Sequence, residues 1–563
     1  MIAGAELFLL PAAVLWPLIL AALCLLPRVR SRMIAALPLA PLPALAAAIV
    51  APRDTMVALP WLLLDSGLRL DETSAAFLGG TAVVWLFAGL YAARSMFAGR
   101  RATGFALFWN LVLAGNIGVF LAADAAGFYV AFALVSLMAY PLIIHDRKPA
   151  SLRAGAVYIV FAVIGEVVLF AAFVMGSDAA GGSILIADIR AAVAAPDGNP
   201  LILCLLIAGF GIKAGLMPLH VWLPVAHPAA PIPASAVLSG AIVTAGIFGF
   251  AAFLPWGSAW PIGGTSLALL GFTGLFAAAL LGVAQSNAKT VLAYSTVSQM
   301  GLLMGVLGLA LAAGAPSEAI LPAIALYAMH HGLTKAALFL GVGLAGTWGG
   351  PSRRVLVVLL GLLSLSLAGL PLTAGALAKA VLKVPAGDIG AVLIGLSAMT
   401  SGLILARVLF TLPAQEAARR PPALMLLSAA VLAAAALVAP WLLHMEIAAS
   451  IYGSPRDLLK AVAEGWPLGL ALVLVAAAAA IGLRPPRLPE GDLLVPLRWL
   501  VLRATALVQT AVAASSEGTR NAEVSRRRVS AGNLEKIEAM FGNSAAIAVT
   551  FAVISGALLF VLR

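Results

Sequence analysis

A bundle of membrane-spanning helices is the fold class this sequence predicts, and three observations predict it. Of 563 residues, 63% are hydrophobic and only 10% charged, with a mean hydropathy of +1.08. Apolar runs of the roughly 20 residues needed to cross a bilayer fill nearly the whole chain. Basic residues gather in short loops between those runs. A soluble core cannot use that much apolar surface, so the bilayer must be the solvent.

Hydropathy and loop punctuation place about 16 spans. They run over 5–26, 33–51, 73–94, 104–122, 125–144, 153–176, 200–217, 234–255, 265–285, 290–311, 318–345, 355–383, 386–411, 422–443, 464–483 and 545–562. The first run follows Met1 without a basic n-region and reads as a retained helix. Residues 1–103 form an N-terminal helical section, 104–411 a central core, and 412–484 a C-terminal helical section. Residues 485–544 form a cytoplasmic segment before a final helix at 545–563. Within that segment LLVPLRWLVLRATALVQTAV reads as an amphipathic helix lying on the membrane surface.

The net charge of +11 has a topological explanation. Arg28, Arg30 and Arg32 follow the first span, Arg94, Arg100 and Arg101 the third, and Arg147, Lys148 and Arg153 the fifth. Lys289, then Arg353 and Arg354, then Arg419 and Arg420, then Arg484 and Arg487 follow later odd spans. The positive-inside rule makes those loops cytoplasmic and both termini external. Nucleic acid is excluded as a partner on the same ground. Cys24 and Cys204 lie inside apolar runs with no CxxC or Cys/His spacing, which argues against clusters, zinc or any cofactor on this chain.

Ionisable residues in a bilayer core are costly and mark function. The sequence keeps Glu166, Lys213, His330, His331, Lys335 and Lys379 there, with Lys383 and Arg407 near the edges. Lys213 precedes Pro218 by five residues, and Lys379 follows Pro371 by eight. Proline removes a backbone donor, so both points predict interrupted helices. Two interrupted helices in corresponding halves point to two inverted five-helix repeats around a mid-membrane site. His331 and Lys335 are four apart and share a helix face. A lysine that desolvation can neutralise passes a proton on, whereas an arginine holds its charge. The alternative is that these lysines only cap broken helices or snorkel. Glu166 is the only carboxylate near the middle of a span and either tunes a lysine or bonds a neighbouring helix. His220 and His227 border the first break, bridging water to Lys213 or capping the loop. His145 and His444 read as interfacial.

Four stretches now carry a resemblance: HVWLPVAHPAAPIPASAVLSG (220–240), NAKTVLAYSTVSQMG (287–301), HGLTKAALFLGVG (331–343) and LAGLPLTAGALAK (367–379). They resemble the proton-translocating, antiporter-like subunits of complex I, of Mrp cation/proton antiporters, and of hydrogenase-4 and formate hydrogenlyase. The resemblance covers the chain from about the fourth to the thirteenth span. It implies that Lys213 is the central lysine of a first half-channel, that His331 and Lys335 lie on a connecting axis, and that Lys379 ends a second half-channel. Two departures stand out. In AFALVSLMAYPL, Ala133 occupies the position of the family's glutamate, and in VLSGAIVTAGIFGF, Thr244 occupies that of a lysine. Glu166, one span later, is the candidate substitute.

Three functions follow as expectations. The first is a proton-translocating subunit of a redox-driven complex in a bacterial inner membrane, its electron chemistry on partner membrane subunits. The second is an Mrp-type antiporter subunit exchanging protons for Na+ or K+. The third is a non-conducting scaffold, which Ala133 and Thr244 favour.

Overall fold

The computed structural model describes residues 5–488 except 61, 63, 98–100, 349, 414–420, 484, 486 and 487, together with Arg503. Twenty α-helices make up nearly all of it. The chain enters through α1 (Ala5–Leu23), α2 (Leu42–Val50), α3 (Glu72–Ser95), α4 (Ala102–Leu121), α5 (Ala125–Ile143), α6 (Pro149–Ala179) and a short α7 (Ile186–Ala194). Then come α8 (Pro200–Ala214), α9 (Trp222–Ala229), α10 (Ile232–Val237), a π turn at Leu238–Ile242, and α11 (Thr244–Phe253). The second part holds α12 (Pro261–Val283), α13 (Ala288–Ala313), α14 (Ser317–Ala345), α15 (Gly350–Ala368) and α16 (Ala374–Phe410). Last are α17 (Ala423–Leu443), α18 (Met445–Tyr452), α19 (Pro455–Ala463) and α20 (Trp466–Ala480). Met1–Leu488 form one structural unit and Pro489–Arg563 another, of which only Arg503 is described. The surface helix expected within 485–544 and the span at 545–562 therefore lie outside the described residues.

Ten helices among the described residues are long and apolar enough to cross a membrane. The chain is thus a multi-pass membrane protein. One non-helical element departs from the all-helical expectation. Strands β1 (Thr55–Ala58) and β2 (Gly67–Leu70) pair antiparallel. Asp124, fully buried at the N-terminus of α5, holds this hairpin by accepting from Ser66 Oγ at 3.0 Å and Gly67 N at 2.8 Å. It also accepts from Gly127 N at 2.7 Å, capping its own helix.

The apolar run expected as one span over 355–383 is two pieces, α15 and the start of α16, separated by residues 369–373. Its boundary with the next span falls at Gly387, where the backbone leaves helical geometry (φ 65°).

The two helix interruptions share a construction. α8 ends at Gly215 (φ 83°), where Leu216 N bonds Gly211 O at 2.7 Å and Gly215 N bonds Ile212 O at 3.3 Å. α15 ends at Gly369 (φ 96°), where Leu370 N bonds Leu365 O at 2.8 Å and Gly369 N bonds Ser366 O at 2.9 Å. Both are Schellman termini, in which a left-handed residue lets the chain turn back on its last carbonyls. Only glycine takes that conformation without strain. Both read Ala-Gly-Leu, at 214–216 and 368–370. Glycine stops each helix, and Pro218 and Pro371 lie a few residues further on, where they keep it from restarting at once.

Candidate functional site

Each break leaves carbonyls that need donors. At the first, Trp222 Nε1 donates to Ile212 O at 2.9 Å. At the second, Lys379 Nζ donates to Ala368 O at 2.9 Å, a cation placed on the C-terminal end of a half-helix. The same ammonium donates to Ser397 Oγ at 2.9 Å. Lys379 thus bridges α15 and the two parts of α16 that flank Gly387.

Lys213 sits in the last turn of α8 and is 6% exposed. Its Nζ donates to Ser136 Oγ of α5 at 2.9 Å and lies 5.3 Å from the centre of the Phe132 ring. Glu166, from the middle of α6, lines the same cleft, together with Ser136, Tyr158 and Trp222. The cleft holds about 10 Å³, space for about one water. Ser136 has one proton and gives it to Phe132 O at 3.0 Å. That leaves the Glu166 carboxylate beside the hydroxyl without a well-aligned hydrogen bond. Lys213 and Glu166 nevertheless act on each other electrostatically. Ala133 lies one helical turn before Ser136 on α5, and the carboxylate at the cleft is that of Glu166 on α6. Next to this cleft a block of rings excludes water. Phe128, Phe132, Phe173, Phe210 and Phe253 lie with centroids 4.7–5.9 Å apart in the Phe173–Phe253, Phe128–Phe253 and Phe132–Phe210 pairs.

Lys335 is fully buried on α14 and donates to Leu292 O of α13 at 3.0 Å. Thr296 Oγ1 donates to the same carbonyl at 3.1 Å and meets Ser239 Oγ at 2.6 Å. Ser239 belongs to the π turn, which re-aims side chains within an otherwise regular helix. The turn reaches α14 because a Cβ on Gly240 would lie 2.6 Å from Gly332 O, so the two backbones touch where side chains would hold them apart. That contact sets Ser239 against His331. His227 stacks on Phe339, one turn beyond Lys335, with centroids 4.9 Å apart. It therefore belongs to the Lys335 cluster rather than to Lys213. Lys289 donates to Pro228 O at 3.2 Å and also to Ala230 O, pinning the loop after α9. His220 is fully buried inside the first break, 6.1 Å from the Tyr294 ring.

His330 turns to the other side of α14. Its Nδ1 faces Ala436 O of α17 at 3.1 Å, and its Nε2 lies 2.9 Å from where a Gly375 Cβ would stand. His330 thereby sits beside the start of α16, toward Lys379. Between the Lys335 and Lys379 regions runs a buried bridge. Tyr327 hydroxyl donates to Gln299 Oε1, and Gln299 Nε2 donates to Ser401 Oγ at 2.9 Å. Sequence reasoning from charges missed Ser136, Ser239, Thr296, Gln299, Tyr327, Ser397 and Ser401. Their signal was neutral polarity inside apolar runs, which is too common to select them. Thr244, the first residue of α11, donates back to Ala241 O of the π turn at 2.7 Å. Arg407 is tied to Gln285 O at 2.9 Å, and Lys383 pairs with Glu464.

Interrupted helices with buried lysines held by hydroxyls and carbonyls define a membrane protein of antiporter-like type. The chain belongs to the family described as NADH:quinone oxidoreductase/Mrp antiporter, transmembrane, whose model matches residues 122–403. It is 33% identical over 303 residues to hydrogenase-4 component B of Escherichia coli (strain K12), covering 50% of this chain and 44% of that protein. It is 28% identical over 333 residues to an Na(+)/H(+) antiporter subunit of Bacillus subtilis (strain 168), covering 55% of this chain and 65% of that one. The chain thus spans about half to two thirds of the length of these curated relatives. The structure of the Mrp complex from Dietzia sp. DQ12-45-1b superposes with a TM-score of 0.70 at 23% identity, over 94% of this chain and 64% of that chain. That of the membrane-bound sulfane sulfur reductase, an archaeal respiratory membrane complex, gives 0.64 at 20% identity, over 82% and 99%.

Proposed function

We propose that this chain is the proton-translocating subunit of a redox-driven, multisubunit complex of complex I or hydrogenase type in a bacterial inner membrane. The observation that carries the reading is the state of its three central lysines. Lys213, Lys335 and Lys379 are all buried, and the hydrogen bonds they donate go to neutral hydroxyls and carbonyls rather than to carboxylates. A neutral acceptor holds an ammonium without fixing its charge, so the proton can leave. The route runs from Glu166 and Lys213 past His220 to His331, Lys335 and His227, then past His330 to Lys379. Neutral hydroxyls and the Gln299 amide fill the gaps, and Pro218 and Pro371 mark the two breaks. The matching Ala-Gly-Leu termini support two inverted five-helix repeats within 104–411, in a chain of about 16 spans with both termini external. Other membrane subunits supply the electron chemistry, and the bilayer surrounds the bundle.

A second reading is an Mrp-type subunit that exchanges protons for Na+ or K+, supported by the likeness to an Na(+)/H(+) antiporter component. The test is flux in proteoliposomes holding the assembled complex, with Lys213 and Lys379 each changed to Ala. Loss of redox-driven proton flux in both supports the first reading. Proton flux driven by a Na+ or K+ gradient supports the second. Undiminished flux in both variants refutes translocation and leaves a scaffold.

A further inference from the structure

The lysines at the two breaks differ in their access to water. Beside Lys213 is a cleft for about one water and a block of phenylalanines. Beside Lys379 is an open cavity of about 340 Å³, room for roughly ten waters at their liquid volume. Lys379 lines it together with the charged residues Lys383, Asp457, Lys460 and Glu464 and with apolar residues of α16. The cover is α18 and α19, two short helices of which α19 leads directly into α20 to complete a membrane-length stretch over Arg456–Ala480. α19 is fixed by a capping box in which Ser454 Oγ accepts from Asp457 N at 3.2 Å and the Asp457 carboxylate accepts from Ser454 N at 3.2 Å. Glu464 ends α19 and pairs with Lys383 of α16, with side chains 44% and 25% exposed. The cover is registered on the break itself. A Cβ on Gly465 would lie 2.7 Å from Pro371 Cγ, so the residue after Glu464 packs directly on the interruption.

Lys383 is four residues beyond Lys379, on the same face of α16. We propose that this cavity is the aqueous mouth of the pathway on one face of the membrane and that the Lys383–Glu464 pair is its charge switch. With the pair formed, the Lys383 charge is neutralised and Lys379 exchanges a proton with mouth water. With the pair broken, a bare ammonium one turn away repels the proton from Lys379. The other charged or titratable groups around Lys379 and its cavity are His330 of α14, Tyr452 of α18, and Asp457 and Lys460 of α19. None of these is held in an ion pair with Lys383 among the described residues. The inference rests on the translocation reading for its second half only, since the mouth exists whether or not protons pass.

The experiment therefore reads access and flux separately in the assembled complex, with Cys24 and Cys204 changed to Ser. Ala376→Cys places a thiol on the cavity wall, and Ala378→Cys places one on the buried face of the same helix. A charged, membrane-impermeant thiol reagent should label position 376 at least tenfold faster than 378, from one side only. Equal, negligible labelling overturns the mouth. Glu464→Gln should lower proton flux about tenfold, the effect of about one pK unit of repulsion. Lys383→Gln/Glu464→Gln should recover flux to within about twofold, because both charges are then gone. Wild-type flux in Glu464→Gln overturns the switch. Equally low flux in the double variant overturns it too, since a merely structural role would not be rescued. If Lys213→Ala and Lys379→Ala leave flux unchanged while position 376 still labels, the translocation reading fails and the mouth stands.

Discussion

Glu166→Gln asks whether the carboxylate on α6 serves as the counter-charge of Lys213. Gln keeps the volume and a hydrogen-bonding oxygen while removing the charge. Lys213 would keep its bond to Ser136 at 2.9 Å and lose the counter-charge across the cleft. Two unit charges 4 Å apart at an effective dielectric near 20 interact by about 4 kcal/mol. Glu166 and Lys213 stand further apart than an ion pair, so about 2 kcal/mol is a fair working value. That corresponds to about thirtyfold in the population of the Lys213 ammonium, and in flux wherever that population limits it. The assay is proton uptake by proteoliposomes at one fixed pH, alongside thermal unfolding to verify that the fold survives. Restoring a carboxylate on the other wall, as Ala133→Glu/Glu166→Gln, should return most of the lost flux. Flux within twofold of wild type in Glu166→Gln would refute that role. So would a double variant no better than the single one, in which case Glu166 merely packs α6 against α8.

Two further outcomes follow from the geometry. Gly332→Ala pushes a methyl group into the backbone of Gly240 at the crossing of the π turn with α14. It should destabilise the protein by about 1–3 kcal/mol in detergent unfolding and separate Ser239 from His331; an unchanged melting temperature would mean that the helices slide apart freely. His145 lies beyond the end of α5, where burial holds it below its ordinary value of 6.5, opposed by Asp146 and seconded by Arg101. Its neutral form is favoured by folding, so its contribution is present above pH 6.5 and is lost as pH falls through the lower folded value. His145→Gln should flatten that part of the stability curve below about pH 6.5, as followed by unfolding at a series of pH values.

The helical class and the positions of most spans were legible because apolar run length is a direct consequence of bilayer thickness. Lys213, Lys335 and Lys379 were legible because a charge in that setting is rare. The breaks were legible as well, though through their prolines rather than through Gly215 and Gly369, which end the helices. A left-handed glycine leaves no mark in a chain that holds 54 glycines. Partnership was harder to read. His227 lies seven residues from His220 and yet joins Phe339 and Lys335, because α9 folds back after the break. The contact of Gly240 with Gly332 joins residues far apart in sequence, and only the folded backbone brings them together. The hairpin at 55–70 was missed because its strands are too short to show a period.

Filled with water as proposed, the cavity beside Lys379 would also shape the electric field. Bulk water conducts the potential of its own side inward, so little of a transmembrane voltage falls across a hydrated space. The drop concentrates instead over the dry protein between such a cavity and the opposite face. At about 2.3 kcal/mol per elementary charge per 100 mV, a charge that crosses that dry layer feels the voltage, and one that stays in a water-filled cavity hardly does. The short helices over that cavity would then fix where along the chain the membrane's stored energy is felt.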